Sequence, residues 1–207
     1  MKPIKSLLVL AVLAAPGIAS AQGYYGGGGG GAPLPGGFHN RMGRVMYGVS
    51  IGLGGMHDDG SGITDCGNCD YNPLAAEADM HLGGMISPRF GLMAEAQFNG
   101  QTVQTDPFSD NGDTVLIQST LMIAGQYWLT PQLWVKGGLG LAHLDAQDNY
   151  YDYDFGGGAA IMGGIGFELL SARFMSVDLQ GRIIEGSYHG LDDHITSATV
   201  GVGLNWY

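Results

Sequence analysis

From Arg44 to the last residue, apolar side chains recur at every second position, and that periodicity constrains the fold more than any other feature of the chain. A spacing of two puts all of them on one face of a strand. Tyr47, Val49, Ile51 and Leu53 alternate with Gly48, Ser50 and Gly52. Ala78, Met80, Leu82 and Ile86 alternate with Asp79, His81 and Gly83. The same pattern runs through Phe90–Phe98, Val115–Tyr127, Leu133–Leu141, Phe155–Leu169, Met175–Ile183 and Ala198–Trp206. Eight strands of about 10–14 residues are predicted, longer than the usual ~5–6 and sufficient to cross a bilayer at a tilt.

The connections alternate as well. Those near Ser87-Pro88-Arg89, Thr130-Pro131-Gln132 and Leu170–Arg173 are short. Those near 56–76, 100–113, 145–154 and 188–194 are long and hold many Asp but no Lys or Arg. Long and short loops therefore fall at opposite ends of an antiparallel array. The polar face is built of Gly, Ser, Thr and Gln with few charges, whereas a soluble outer face is rich in Lys and Glu. Small polar residues suit the narrow interior of an eight-stranded barrel, with the apolar face turned to lipid. The expected fold is all-β, an eight-stranded antiparallel up-and-down transmembrane β-barrel over residues 44–207. A soluble barrel with the faces reversed is the competing arrangement. Tyr47, Phe90, Phe98, Tyr127, Phe155, Phe167 and Trp206, near strand ends, suit an interfacial aromatic girdle.

Two segments precede the barrel. Residues 1–21 have Lys2 and Lys5, an apolar run from Leu7 to Ala15, and the small-residue sequence Ala19-Ser20-Ala21. This is the layout of a secretory signal peptide. Residues 22–43 begin QGYYGGGGGGAPLPGG and read as a flexible linker. Composition narrows the function. With 8 Lys+Arg against 19 Asp+Glu and a net charge of −11, the chain lacks the cations that phosphate contacts need, so nucleic acid is excluded as a partner.

Six charged residues share the polar parity of their strands: Asp79, Glu95, Lys136, Glu168, Asp178 and Arg182. Opposite signs on one enclosed face predict a lumenal ion-pair network, because an unpaired buried charge is costly. Cys66 and Cys69, the only cysteines, lie in the first long loop. In an exported protein such a pair reads as a local disulfide, ahead of a metal or redox role. The loop carboxylates read as a solvated acidic rim, with divalent-cation binding as the alternative. His189 and His194 flank Asp192 and Asp193, with Ser187 nearby, but no Gly-x-Ser-x-Gly elbow occurs. No enzyme, cofactor or metal site is expected.

The layout as a whole, with stretches such as RFGLMAEAQF, YWLTPQLWVKGGLGLAHL and TVGVGLNWY, resembles the small outer membrane β-barrel family typified by the outer membrane protein A transmembrane domain and outer membrane protein X. The resemblance implies a monomer in the outer membrane, in contact with its lipid and lipopolysaccharide. It implies a structural, surface-platform role for a filled polar lumen and acidic extracellular loops. The alternatives it leaves are a narrow channel for small solutes and a lipid A-modifying enzyme. It also makes Trp206 and Tyr207 the C-terminal signal read by the barrel assembly machinery. The phase departs from the family pattern: Asn205 and Gly203 share the parity of Tyr207, while Leu204 and Trp206 carry the apolar face. No peptidoglycan-binding domain is expected after the barrel.

Overall fold

The structure, a computed structural model, describes residues 41–58, 61–62, 74–103, 114–147, 152–172, 174–189 and 194–207. The signal peptide, most of the linker, and Cys66 and Cys69 lie outside the described residues. The strands are β1 Val45–Asp58, β2 Ser61–Gly62, β3 Ala75–Ser87, β4 Phe90–Val103, β5 Thr114–Trp128, β6 Leu133–Gln147, β7 Asp152–Ser171, β8 Met175–Tyr188 and β9 His194–Trp206. β2 is a two-residue hairpin return on the end of β1. The other eight pair in sequence order, all antiparallel, and β9 pairs back onto β1. The sheet is therefore a closed eight-stranded barrel, the expected fold class.

The alternation sorts side chains as predicted. Outward positions form a belt of Ile51, Leu121, Ile123, Leu139, Leu141, Ile161, Ile183 and Val200, each more than half exposed. Leu139 stands between Ile123 on β5 and Ile161 on β7, so the apolar surface is continuous across strands. A belt of this kind is suited to hydrocarbon. On β8 it ends at Glu185, two residues beyond Ile183. Near the short-turn end, Tyr47 and Trp206 stack across the β1–β9 seam with ring centroids 5.4 Å apart, and Arg44 lies 5.2 Å from the Phe174 ring.

Three expectations need correction. The strands run further than the alternation shows: β4 reaches Val103, β6 reaches Gln147 and β7 begins at Asp152. Asp58, Asp145 and Asp154, expected in loops, are in strands. Ladder pairing continues beyond the apolar belt, where carboxylates hide the period-two signal. Phe155 is not a girdle residue but packs against the inner apolar cluster. Register shifts between Leu144 and Asp145 opposite Gly156, whose φ is 86°. Phe155 is the extra residue of that bulge, and a bulge changes the phase of the side chains. The third concerns where the barrel's own residues begin. Arg41, assigned to the linker, is 3 % exposed and sits inside the barrel.

The interior is also less uniformly polar than expected. Met46, Met56, Met85, Met93, Met122 and Met162 are buried there with Trp128, Trp134 and Tyr188. Methionine is flexible and fills irregular space, which the small inward glycines leave open. An outward substitution tests which face meets lipid. Leu139→Arg, in the middle of the belt, is expected to lower stability by about 2–4 kcal/mol, read as a shift in urea unfolding from lipid vesicles. A soluble barrel would tolerate the change.

Candidate functional site: the barrel lumen

All six charged residues predicted for the lumen lie inside the barrel, in two separate groups. The first group closes the short-turn end. Arg41 donates through both terminal guanidinium nitrogens to the Glu168 carboxylate, at 2.7 and 2.9 Å, and to Ser171 Oγ at 3.1 Å. Its guanidinium carbon is 3.8 Å from the Tyr207 ring centroid. Trp128 Nε1 donates to Glu168 at 2.8 Å. Asp178 accepts from Trp134 Nε1, Asn205 Nδ2 and Ser176 Oγ, each at 2.8 Å. Glu168 therefore has a cation as partner, whereas Asp178 is held by neutral donors.

Tyr207 points inward in this group, its hydroxyl 3.4 Å from both Glu168 Oε1 and Ser176 Oγ. Burial pushes its phenol well above the usual range, against the pull of Arg41, which keeps the proton on the oxygen. Of the two residues in the expected assembly signal, only Trp206 therefore turns outward in the folded barrel. The parity of Asn205 and Gly203 had already put Tyr207 on the inner face.

The second group lies at mid-barrel. Lys136 on β6 donates to Glu95 Oε2 on β4 at 2.9 Å. Arg182 on β8 is 3.3 Å from both Glu95 Oε1 and Asp79 Oδ2, and also pairs with Glu77. Ser50 donates to Asp79 Oδ1 at 3.1 Å. The register explains how these groups fit in a narrow barrel. Gly48, Ser50 and Gly52 on β1 stand opposite His81, Asp79 and Glu77 on β3. Small residues on one strand leave room for ionisable ones on its neighbour. A Cβ on Gly48 would lie 2.6 Å from His81 Cε1, so the ring occupies the space that glycine leaves.

Above this group, toward the long loops, β4 continues its inward polar row with Gln97, Asn99 and Gln101. Asn99 donates to Gln118 Oε1 and Ser197 Oγ at 3.3 and 3.2 Å, and Gln118 donates to the Tyr188 hydroxyl at 2.7 Å. At the rim His143 Nε2 lies 3.1 Å from Asp145 and 3.5 Å from Asp154, all partly exposed. No catalytic set is assembled from the expected histidines among the described residues. Ser187 and His194 face each other across the β8–β9 ladder, but His189 Nδ1 is 2.7 Å from the Gly157 carbonyl oxygen. Asp192 and Asp193 lie outside the described residues.

Sequence reasoning missed Arg41, Glu77, Trp128 and Trp134. Glu77 carried a readable signal, two residues before Asp79 on the same parity. The indoles sit on the inward parity of β5 and β6 but look apolar by composition. Arg41 precedes any alternation and had none.

No family model and no curated protein matches the sequence. Solved structures do match the fold. The attachment invasion locus protein Ail of Yersinia pestis, solved in complex with the heparin analogue sucrose octasulfate, aligns with a TM-score of 0.52 at 14 % identity, covering 78 % of this chain and 98 % of that one. Neisserial surface protein A aligns with a TM-score of 0.50 at 10 % identity, covering 78 % and 96 %. The fold is that of the small outer membrane β-barrels. With its apolar belt, the chain has the architecture of a barrel of the cell outer membrane.

The short-turn latch makes a quantitative test. Arg41→Met leaves Glu168 buried without a cation and is expected to cost about 3–5 kcal/mol, read from urea unfolding in vesicles. Arg41→Met combined with Glu168→Gln is expected to recover most of that loss. Equal instability of the single and double variants would show that the pair is not the source.

Proposed function

We propose that this protein is a sealed outer membrane barrel that holds its acidic loops at the cell surface as a contact platform. Small barrels of this kind place short turns at the periplasm and long loops outside. The observation that carries the reading is the complete burial of inward side chains at several heights. Glu95, Gln97, Asn99, Gln118, Glu168 and Asp178 are each 0 % exposed, which supports a lumen filled by its own side chains. A narrow channel for small solutes, the competing reading, needs a continuous water path through that filling.

The loops set the class of contact. The four long connections all hold Asp and no Lys or Arg, and three of them also hold Tyr. That charge is the wrong sign for a sulfated ligand such as the one bound by Ail, and suits cationic groups or divalent cations shared with lipopolysaccharide phosphates. Outer membrane lipid and lipopolysaccharide are its immediate surroundings, the barrel assembly machinery inserts it, and it works as a monomer. No described arrangement of side chains supports a lipid A-modifying reaction.

Planar-bilayer recording tests the sealed lumen. The purified protein is expected to insert without discrete conductance steps. Reproducible single-channel openings from the wild-type protein would replace the platform reading with the channel.

A further inference from the structure

We propose that Asp79, His81 and Glu95 form a binding site for a first-row divalent transition metal, of which Zn²⁺ is the test case, inside the barrel at mid-height. Asp79 and His81 are two residues apart on β3 and so share its inward face. Glu95 is the direct cross-strand partner of His81 on β4. One ligand atom from each lies within 4.8 Å of the others, and all three residues are buried. One imidazole nitrogen with two carboxylate oxygens is a donor set that suits Zn²⁺ and its neighbours better than Mg²⁺ or Ca²⁺.

Carboxylates in a cluster are common without a metal, so the case rests on the histidine. The His81 side chain is only 5 % exposed, yet neither ring nitrogen has a hydrogen-bond partner. A buried polar group left in that state is expensive. Asp79 Oδ1 lies 3.6 Å from His81 Nδ1. That is too long for a hydrogen bond. It is close to the roughly 3.4 Å edge that a tetrahedron gives when ligands sit about 2.0–2.2 Å from Zn²⁺.

The oxygens tell the same story. Glu95 Oε2 serves Lys136, while Glu95 Oε1 and Asp79 Oδ2 accept no hydrogen bond and each lies 3.3 Å from an Arg182 nitrogen in an ion pair. Charge is unbalanced in the direction a cation needs. Three carboxylates, Glu77, Asp79 and Glu95, face two permanent cations, Lys136 and Arg182. On metal binding Arg182 keeps Glu77 and Lys136 keeps Glu95 Oε2, so neither cation is stranded. Gly48, opposite His81, leaves the ring the space it occupies. The partly exposed group of His143, Asp145 and Asp154 at the rim has no such orphaned buried side chain and serves as the control.

The test uses the full-length mature protein purified in detergent, stripped with a chelator, with Cys66 and Cys69 reduced and alkylated so that no thiol competes. Zn²⁺ alone is titrated against a chromophoric indicator, and unfolding temperature is followed on a heat-shift gel. The expected result is one tightly held Zn²⁺ per barrel and a raised unfolding temperature. Both persist in His143→Ala, and His81→Gln weakens binding at least about tenfold. Absence of tight binding, or binding lost in His143→Ala and unchanged in His81→Gln, overturns the proposal. If His81→Gln does not fold, wild-type protein loaded with Co²⁺ decides. An intense visible band of tetrahedral Co²⁺ supports the site, and the weak spectrum of a hydrated octahedral ion contradicts it.

Discussion

The pairing of β9 with β1 is the constraint on which the rest of the structure depends. Tyr47 to Asp58 pairs residue by residue with Trp206 back to Ile195. Without that seam both edge strands would present unpaired N–H and C=O groups to hydrocarbon, where each costs several kcal/mol. Closure removes the edges, but it also fixes the interior. Eight strands enclose a space that side chains fill, so every inward residue is chosen for its neighbours across the lumen as well as along the strand.

The interior solves that problem by complementarity between adjacent strands. Between Met46 and Met56, β1 is nearly bare on its inner face, and β3 beside it supplies Glu77, Asp79 and His81 into the room so left. Carboxylates and cations then meet from strands far apart in sequence, as Glu95 does with Lys136 and Arg182. Buried pairs of this kind add little net stability compared with an apolar filling, but breaking one leaves a charge stranded. They therefore favour one register over a slipped one, since a shift of one residue would turn each charge into the lipid. Methionines fill the space between the polar groups without imposing a shape of their own.

The short-turn end adds a second closure. Arg41 comes from the segment before β1 and Tyr207 is the last residue of the chain, yet the guanidinium lies against the ring and both reach Glu168. The two ends of the described chain are latched together inside the mouth of the barrel. The latch lies beside the seam that joins the first and last strands.

Period-two alternation made the strand number, the antiparallel order, the position of the short turns and the facing of each strand legible from the residues alone. It also picked out the lumenal charges, because Asp79, Glu95, Lys136, Glu168, Asp178 and Arg182 share the parity of small residues. It failed where a different physical cause took over. Carboxylates hide the strand ends beyond the belt, a left-handed glycine at Gly156 reverses the phase around Phe155, and Arg41 belongs to no strand. Which lumenal charge meets which also depends on barrel closure, and parity says nothing of that.

The most direct measurement is fractionation of the cell envelope followed by electrophoresis of boiled and unboiled samples. The account predicts recovery in the outer membrane and a mobility that changes on boiling, because a closed barrel resists detergent until heated. Recovery as a soluble periplasmic protein with a single mobility would contradict it, since the apolar belt would then face water.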